Sequence, residues 1–194
     1  MVNLAASLRR VRKRSGASLR DVALRSGVAA SNISAIENGH RDPTSVTLSR
    51  LASSIGVEWI PAVTQGRAPA ARAAEEITVA EAHGEHARAY RRFIQLADDL
   101  ASADPVTRVL LSAEEPDNSP SRWLDAIAAL LEVRLGEVSA PVPAWVTARD
   151  GQPNAQWEPP RSSRPLSLTA DRSHVPPEFL RRGVAIERGE LMSV

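Results

Sequence analysis

The apolar positions in the first third of the chain recur at helical spacing, which predicts a run of short helices. Leu4, Leu8 and Val11 define one face of the first helix. Ser18 and Asp21 have the spacing of a capping box, which predicts the start of the second helix. Further stripes of isoleucine and leucine predict a third and a fourth helix. The predicted stops are Ser15-Gly16, Ser26-Gly27, Asn38-Gly39 and Gly56.

Beyond the fourth predicted helix the pattern changes. Alternating apolar positions indicate a short edge strand or an extended tail, at Val57, Trp59, Pro61 and Val63. The alanine-rich segment that follows also contains glycine and proline, which is typical of a linker. The predicted organisation is a first domain over residues 1–63, a linker over 64–74 and a second domain over 75–194.

The C-terminal part is predicted to be helical with an extended end. A long helix is expected from about Val79 to Ser102, with its cleanest apolar stripe in the second half. Asp104-Pro105 and Ser119-Pro120 each combine an N-cap residue with a first-turn proline, so each is expected to begin a helix. The final sixty residues are rich in proline and are expected to be partly extended.

A known family pattern covers the first predicted domain. The string IENGHRDPTSVTL begins in the last turn of the third predicted helix, after a small Ala23 and a turn at Gly27. With four apolar stripes in register, residues 4–57 resemble the Cro-like (Xre-type) helix-turn-helix family of phage repressors. The resemblance implies DNA binding through the third helix. The expected fold class is mainly α, a helix-turn-helix domain of four to five short helices followed by a helical body with a proline-rich, partly extended tail.

The third predicted helix is expected to touch base edges of double-stranded operator DNA. The resemblance assigns these contacts to Ala30, Ser31, Asn32, Ser34 and Ala35. Asn32 can pair with adenine edges, whereas the alanines can contact only thymine methyl groups. Relatives often have Gln or Arg at positions 30 and 35, and Ser or Thr where Ala29 stands as the helix cap. Specificity is therefore expected to rest largely on DNA shape and on paired half-sites bound by a homodimer.

Residues that flank this helix are expected to contact phosphates. These candidates are Arg20, His40, Arg41 and Thr44. The resemblance gives Arg12 another role, because the corresponding arginine pairs with the glutamate that is Glu37 here. We expect that pair to be a structural salt bridge between the first and third helices.

The charge distribution is consistent with a polyanion-binding first domain. Residues 1–66 contain nine basic and four acidic side chains, a net charge of +5, whereas the remainder contains fifteen basic and nineteen acidic, a net of −4.

The absence of cysteine excludes thiol catalysis and cysteine-ligated zinc. His83 and His86 are interpreted as solvated surface rather than half of a metal site. No catalytic or nucleotide-binding constellation is found, so neither an enzyme nor a cofactor is expected. No apolar run approaches the roughly 18–20 residues that span a bilayer, and the basic N-terminus lacks the order of a secretion signal, so we expect a cytoplasmic protein.

The tryptophans and prolines of the C-terminal part allow two interpretations. They can be core anchors and stiff turns, or they can form a partner surface, since tryptophan and arginine are enriched where proteins bind tightly. The candidate partner-binding residues are Trp123, Trp145, Trp157, Phe179, Arg181 and Arg182. The apolar segment GVAI that follows them could add as a strand to another sheet.

A second resemblance covers residues 95–194. The motif PAW, a further tryptophan and EFLRRGVAI…EL are similar to actinobacterial antitoxins encoded beside nucleotidyltransferase-like toxins. The use of 23 arginines against one lysine fits a high-GC bacterium. The resemblance implies an antitoxin of a type II pair that binds its toxin directly and represses its own operon. The alternative is a stand-alone Xre-type repressor whose C-terminal domain senses a small molecule.

Overall fold

The computed structural model describes residues 4–59, 62–117, 121–162 and 169–192. Over these residues the secondary structure is helical, with ten α-helices, two 3-10 helices and no β-strand. The contacts divide the chain into two compact units, Met1–Val63 and Thr64–Val194. No helix in the described part of the chain combines the length and apolar character that crossing a bilayer requires. The mainly α fold class is therefore confirmed.

Unit 1 (Met1–Val63) contains four helices that close around one small apolar core. They are α1 (Leu4–Arg14), α2 (Leu19–Ser26), α3 (Ala30–Glu37) and α4 (Ser45–Ser54). Each contributes aliphatic residues to the core, including Leu8, Val22, Ile33, Ile36 and Leu51. The stripes seen in the sequence supply Leu8, Ile33, Ile36 and Leu51, and α2 begins at the predicted capping box, so the four predicted helices are confirmed.

Two of the helix starts in unit 1, those of α2 and α4, have side-chain caps. The Ser18 side chain accepts a hydrogen bond from the backbone N–H of Asp21 at 3.1 Å, and the Asp21 carboxylate accepts one from the Ser18 N–H at 2.9 Å. This reciprocal pair is the predicted capping box of α2. Thr44 caps α4 by accepting the N–H of Thr47 at 3.2 Å. After α4 the described residues, 57–59 and 62–63, have no regular structure, as expected of an extended tail; Pro61 lies outside the described residues.

Unit 2 (Thr64–Val194) is organised around one almost fully buried helix. Its α-helices are α5 (Ala70–Ala82), α6 (His86–Ala101), α7 (Pro105–Ala113), α8 (Arg122–Gly136), α9 (Ala144–Thr147) and α10 (Pro177–Leu180). Twelve of the fifteen residues of α8 are buried, because α5, α6, α7, α9 and α10 all pack against it. Asp104 caps α7 as predicted, accepting the N–H groups of Val106 and Thr107. The predicted cap at Ser119-Pro120 lies outside the described residues, and α8 itself begins at Arg122.

Two predictions for the start of unit 2 are wrong. The segment over 64–74 is not a linker throughout, since α5 begins at Ala70 and buries the alanines of its first turns. The single helix expected from Val79 to Ser102 is two helices, α5 and α6, which separate at Gly84 with φ +70°. Alanine is the strongest helix former, and its small side chain allows α5 and α6 to pack closely.

The C-terminal segment folds back onto the helices of unit 2. Val184, Ala185 and Ile186 are buried, and Val184 forms an isolated parallel bridge with Trp157. The expectation of a free strand that could add to another sheet is therefore wrong, because this segment is part of the unit's own core. Within the proline-rich final sixty residues, residues 163–168 lie outside the described part of the chain.

Candidate nucleic-acid interface

The connection between α2 and α3 is a tight turn stabilised by local hydrogen bonds. Gly27 has φ +69°, and its N–H donates to the carbonyl of Ala23 at 2.9 Å. The Ser26 hydroxyl accepts the N–H of Val28 at 3.2 Å. The left-handed conformation suits glycine, because a Cβ there would be strained. The turn therefore lets α3 cross α2 while Ile33 and Ile36 remain buried between the helices.

The remaining positions of α3 form a short, uncharged outer surface. Ser31 is exposed, and the other four predicted base-contacting positions, Ala30, Asn32, Ser34 and Ala35, are partly exposed. At about 100° per residue, Ser31 and Ala35 lie opposite the two buried isoleucines. Small side chains on this surface allow close approach of the helix backbone to a major groove about 12 Å wide.

Asn32 and Arg41 form a hydrogen bond that sequence reasoning did not predict. The Arg41 guanidinium donates from Nη1 to Asn32 Oδ1 at 2.8 Å. Together with Val28 and Thr44, these residues line a groove of about 290 Å³ beside the first turn of α3. The structure therefore brings one predicted base-contacting residue and two predicted phosphate-contacting residues into one site.

The other predicted phosphate contacts lie at separate positions in unit 1. Arg20 is exposed in the first turn of α2, and His40 is exposed in the loop after α3. Neither lines the groove that contains Asn32 and Arg41. Thr44, which lines that groove, has its side-chain oxygen engaged as the α4 cap.

The expected salt bridge between α1 and α3 is present and bidentate. Arg12 donates to the two Glu37 oxygens at 2.7 Å and 2.6 Å, and its third nitrogen donates to the Ala17 carbonyl at 3.0 Å. The two side chains are only 13% and 7% exposed. The hydrogen bond with Glu37 outweighs burial and raises the pKa of the Arg12 guanidinium above its usual value. This pair joins α1 to α3 on the side of α3 that faces away from its predicted DNA-contacting surface.

Two further residues near the motif were not singled out from the sequence. An ideal Cβ on Gly27 would lie 2.8 Å from Arg50 Nη2, so this α4 arginine lies directly against the turn. Asn38 accepts from Arg9 Nη1 at 3.0 Å and donates to the Ser34 hydroxyl at 3.4 Å. Arg50 could have been found from the sequence, because it is a basic residue on the polar face of the fourth predicted helix. The contacts of Asn38 could not, because they depend on how α1 and α3 pack.

The candidate partner-binding residues of unit 2 divide by burial. Trp123, Phe179 and Arg182 are 4%, 0% and 1% exposed, so these side chains belong to the core and are not available as a surface. Trp157 is half-buried and packs edge-on against Trp123 with ring centroids 5.3 Å apart. The remaining two differ in exposure. Trp145 is half-buried and donates its indole N–H to the Ser112 carbonyl, whereas Arg181 is exposed and pairs with Glu132.

The histidine pair near the start of α6 has local partners. His86 Nδ1 lies 3.0 Å from a Glu81 carboxylate oxygen, and His83 Nδ1 lies 2.9 Å from the Val79 carbonyl. Among the described residues, no three His, Cys, Asp or Glu side chains are grouped to hold a metal ion.

Unit 1 thus has the architecture of a helix-turn-helix DNA-binding domain, with α2 and α3 as the paired helices. A helix-turn-helix family model matches residues 8–60. The uncharacterized HTH-type transcriptional regulator y4dJ of Sinorhizobium fredii (strain NBRC 101917 / NGR234) is 38% identical over 55 residues, which are 28% of this chain and 71% of that protein. The chain belongs to the helix-turn-helix family of transcriptional regulators. No solved structure matches the chain.

Proposed function

We propose that unit 1 binds operator DNA as a homodimer and represses transcription. The outer surface of α3 enters the major groove, and the phosphate contacts come from Arg20, His40, Arg41 and Thr44. The observation that carries this proposal is the position of Arg41, in hydrogen-bond contact with Asn32 at the first turn of α3. A cation at that place can bind the phosphate backbone while the helix beside it reaches the bases.

The salt dependence of binding tests the phosphate contacts. In a homodimer, Arg20 and Arg41 of both copies would neutralise four phosphates, and each releases about 0.9 of a counterion. The dissociation constant should therefore rise about 150-fold between ~50 and ~200 mM salt, with a log–log slope of about −3.6 for the association constant. Arg20→Ala should make the slope less steep by nearly two. An affinity that stays flat over this range would contradict the proposed contacts.

We propose further that unit 2 binds a protein toxin directly, so that the chain acts as the antitoxin of a type II pair. The support is the similarity of residues 95–194 to antitoxins, together with a body that has its own core and a net charge of −4. An acidic body suits a nucleotidyltransferase-like toxin, whose cleft must be basic to bind nucleotides or RNA. The PAW and EFLRRGVAI segments help to build the unit, since Phe179 and Arg182 are buried. The toxin contacts would then come from exposed neighbours such as Arg181.

Co-expression with the adjacent reading frame tests this second proposal. The two proteins should co-purify, and this chain should restore growth that the partner inhibits. Asn32→Ala serves as the control, because it should weaken operator binding while leaving neutralisation intact. A partner that neither co-purifies nor is neutralised would refute the antitoxin role. A small molecule that shifts operator affinity by a coupling of ~1–3 kcal/mol would instead support the sensor alternative.

A further inference from the structure

The hydrogen bond between Arg41 and Asn32 joins two parts of unit 1 with different proposed tasks. Asn32 lies in the first turn of α3, and Arg41 lies nine residues later in the loop that leads to α4. The Asn32 side-chain oxygen Oδ1 accepts this hydrogen bond from Arg41 Nη1. The contact therefore connects a base-contacting position with a phosphate-contacting position through a single side-chain bond.

The chemistry of the two groups determines how the Asn32 carboxamide is turned. A guanidinium has five N–H donors and no acceptor, so only the carboxamide oxygen can face it. The Asn32 amide nitrogen must therefore point away from Arg41. Without this partner the terminal torsion of asparagine is broad and roughly two-fold, so both amide orientations would be accessible.

The orientation that Arg41 imposes retains what adenine recognition requires. An adenine edge in the major groove presents the N6 donor and the N7 acceptor, which need one acceptor and one donor from the protein. The Asn32 oxygen keeps a second lone pair, and its amide nitrogen keeps two N–H groups. The positive charge on Arg41 also polarises the amide, which strengthens the N–H groups as donors.

We propose that Arg41 is a positioning residue for base readout, which it supports by fixing the Asn32 carboxamide in the orientation that pairs with adenine. This inference rests on the proposed operator binding by α3. The bond to Asn32 uses one of the five guanidinium donors, so the same side chain can still contact a phosphate. Arg41 then contacts a phosphate and orients the Asn32 side chain at the same time. The sequence alone predicts only the phosphate contact.

The test measures base discrimination in addition to overall affinity. The full-length protein is titrated by fluorescence anisotropy with the duplex from immediately upstream of its gene and with all single base-pair substitutions of it. Asn32→Ala identifies the base pair that Asn32 reads, where the wild-type protein should discriminate by roughly 5–150-fold. Arg41→Ala should weaken binding to every duplex and also reduce discrimination at that base pair to within about threefold.

Two variants separate positioning from charge. Arg41→Lys keeps a positive charge and a group that can only donate, so discrimination at that base pair should be retained well above that of Arg41→Ala. Arg20→Ala removes an exposed arginine of the proposed phosphate set on α2, so it should lower affinity without changing discrimination. Combining Asn32→Ala with Arg41→Ala should remove no more discrimination than Asn32→Ala alone.

The outcomes distinguish this inference from the function on which it rests. If Arg41→Ala lowers the affinity for all duplexes equally, as Arg20→Ala should, Arg41 acts on phosphates alone and the positioning role is refuted. If Asn32→Ala changes discrimination at no base pair, the proposed base contact itself is refuted. A circular dichroism melt of Arg41→Ala that matches the wild type shows that the loop substitution has not unfolded the domain.

Discussion

Replacement of the buried Arg182 by methionine should destabilise unit 2 strongly. Arg182 is 1% exposed, and its guanidinium donates to three backbone carbonyls. These belong to Arg149 at 2.9 Å, Val146 at 2.9 Å and Glu178 at 3.0 Å. Its Nη1 also lies 2.8 Å from a Glu132 carboxylate oxygen. One side chain therefore connects α8, α9, α10 and the loop after α9.

The magnitude follows from the groups that lose their partner. Methionine fills most of the same volume, so the cost of an empty cavity is small and the loss is mainly polar. Each hydrogen bond to a charged group contributes about 1.5–3 kcal/mol, but bonds from one side chain do not add independently. Removing one partner of a buried ion pair costs about 3–5 kcal/mol, and we expect Arg182→Met to fall in this range. With an m value of about 2 kcal/mol per M, the urea midpoint should fall by about 1.5–2.5 M.

Urea unfolding of the full chain, followed by tryptophan fluorescence, measures this effect. Arg181→Met is the matched control, because Arg181 pairs with the same Glu132 but its side chain is 57% exposed. Its loss should cost less than about 1 kcal/mol. Equally small effects for both variants would refute the buried network. An Arg182→Met protein of normal stability that no longer binds a toxin would mean that this arginine serves as a partner surface after all.

Three further predictions concern local structure and pH. Gly27→Ala should destabilise unit 1 by about 1–2 kcal/mol in thermal unfolding, because residue 27 has a left-handed backbone and lies against Arg50. Gly136 is the control, since it is helical with open space around it, and Gly136→Ala should leave stability unchanged or raise it. Ser18→Ala should cost about 1 kcal/mol, visible as faster amide hydrogen exchange in the first turn of α2, and unchanged exchange there would contradict the capping role. Burial opposes ionisation of Glu132, but hydrogen bonds from two arginines outweigh it and hold the pKa of this carboxyl below its usual value. The stability that this carboxylate contributes should therefore be complete above about pH 4.5 and lost as the pH falls through the lowered pKa, and Glu132→Gln should weaken that pH dependence of the urea midpoint.

Local signals predicted unit 1 well because α2 and α4 begin at side-chain caps and α2 ends at a glycine in the left-handed conformation. The Ser18 capping box, the turn at Gly27 and the Thr44 cap each satisfy backbone groups within a few residues of themselves. The aliphatic stripes then determine which faces meet in the core. The pair between Arg12 and Glu37 spans 25 residues, and the family resemblance implied it where spacing alone could not.

Unit 2 was harder to predict because its contacts are distant in sequence. The alanines over 70–74 have no amphipathic stripe, so their role appears only when α6 packs against them. Arg182 and Trp123 belong to residue types that are enriched at both interfaces and buried polar sites, and composition cannot distinguish the two. The bond between Arg41 and Asn32 was missed for a related reason, since the loop conformation that brings them together has no sequence signal of its own.

The burial of α8 has a consequence for synthesis of the chain. Its apolar residues share one core with Val184 and Ile186, and Arg134 donates to the carbonyl of Leu191 at 2.6 Å. At about 5–20 residues per second, a ribosome needs roughly 3–11 s to pass from the end of α8 to Leu191. Until Leu191 is added, the contacts that complete the core around α8 cannot form. Premature termination would leave that core permanently incomplete, so truncated products should be recognised by chaperones and proteases even though their DNA-binding unit is complete.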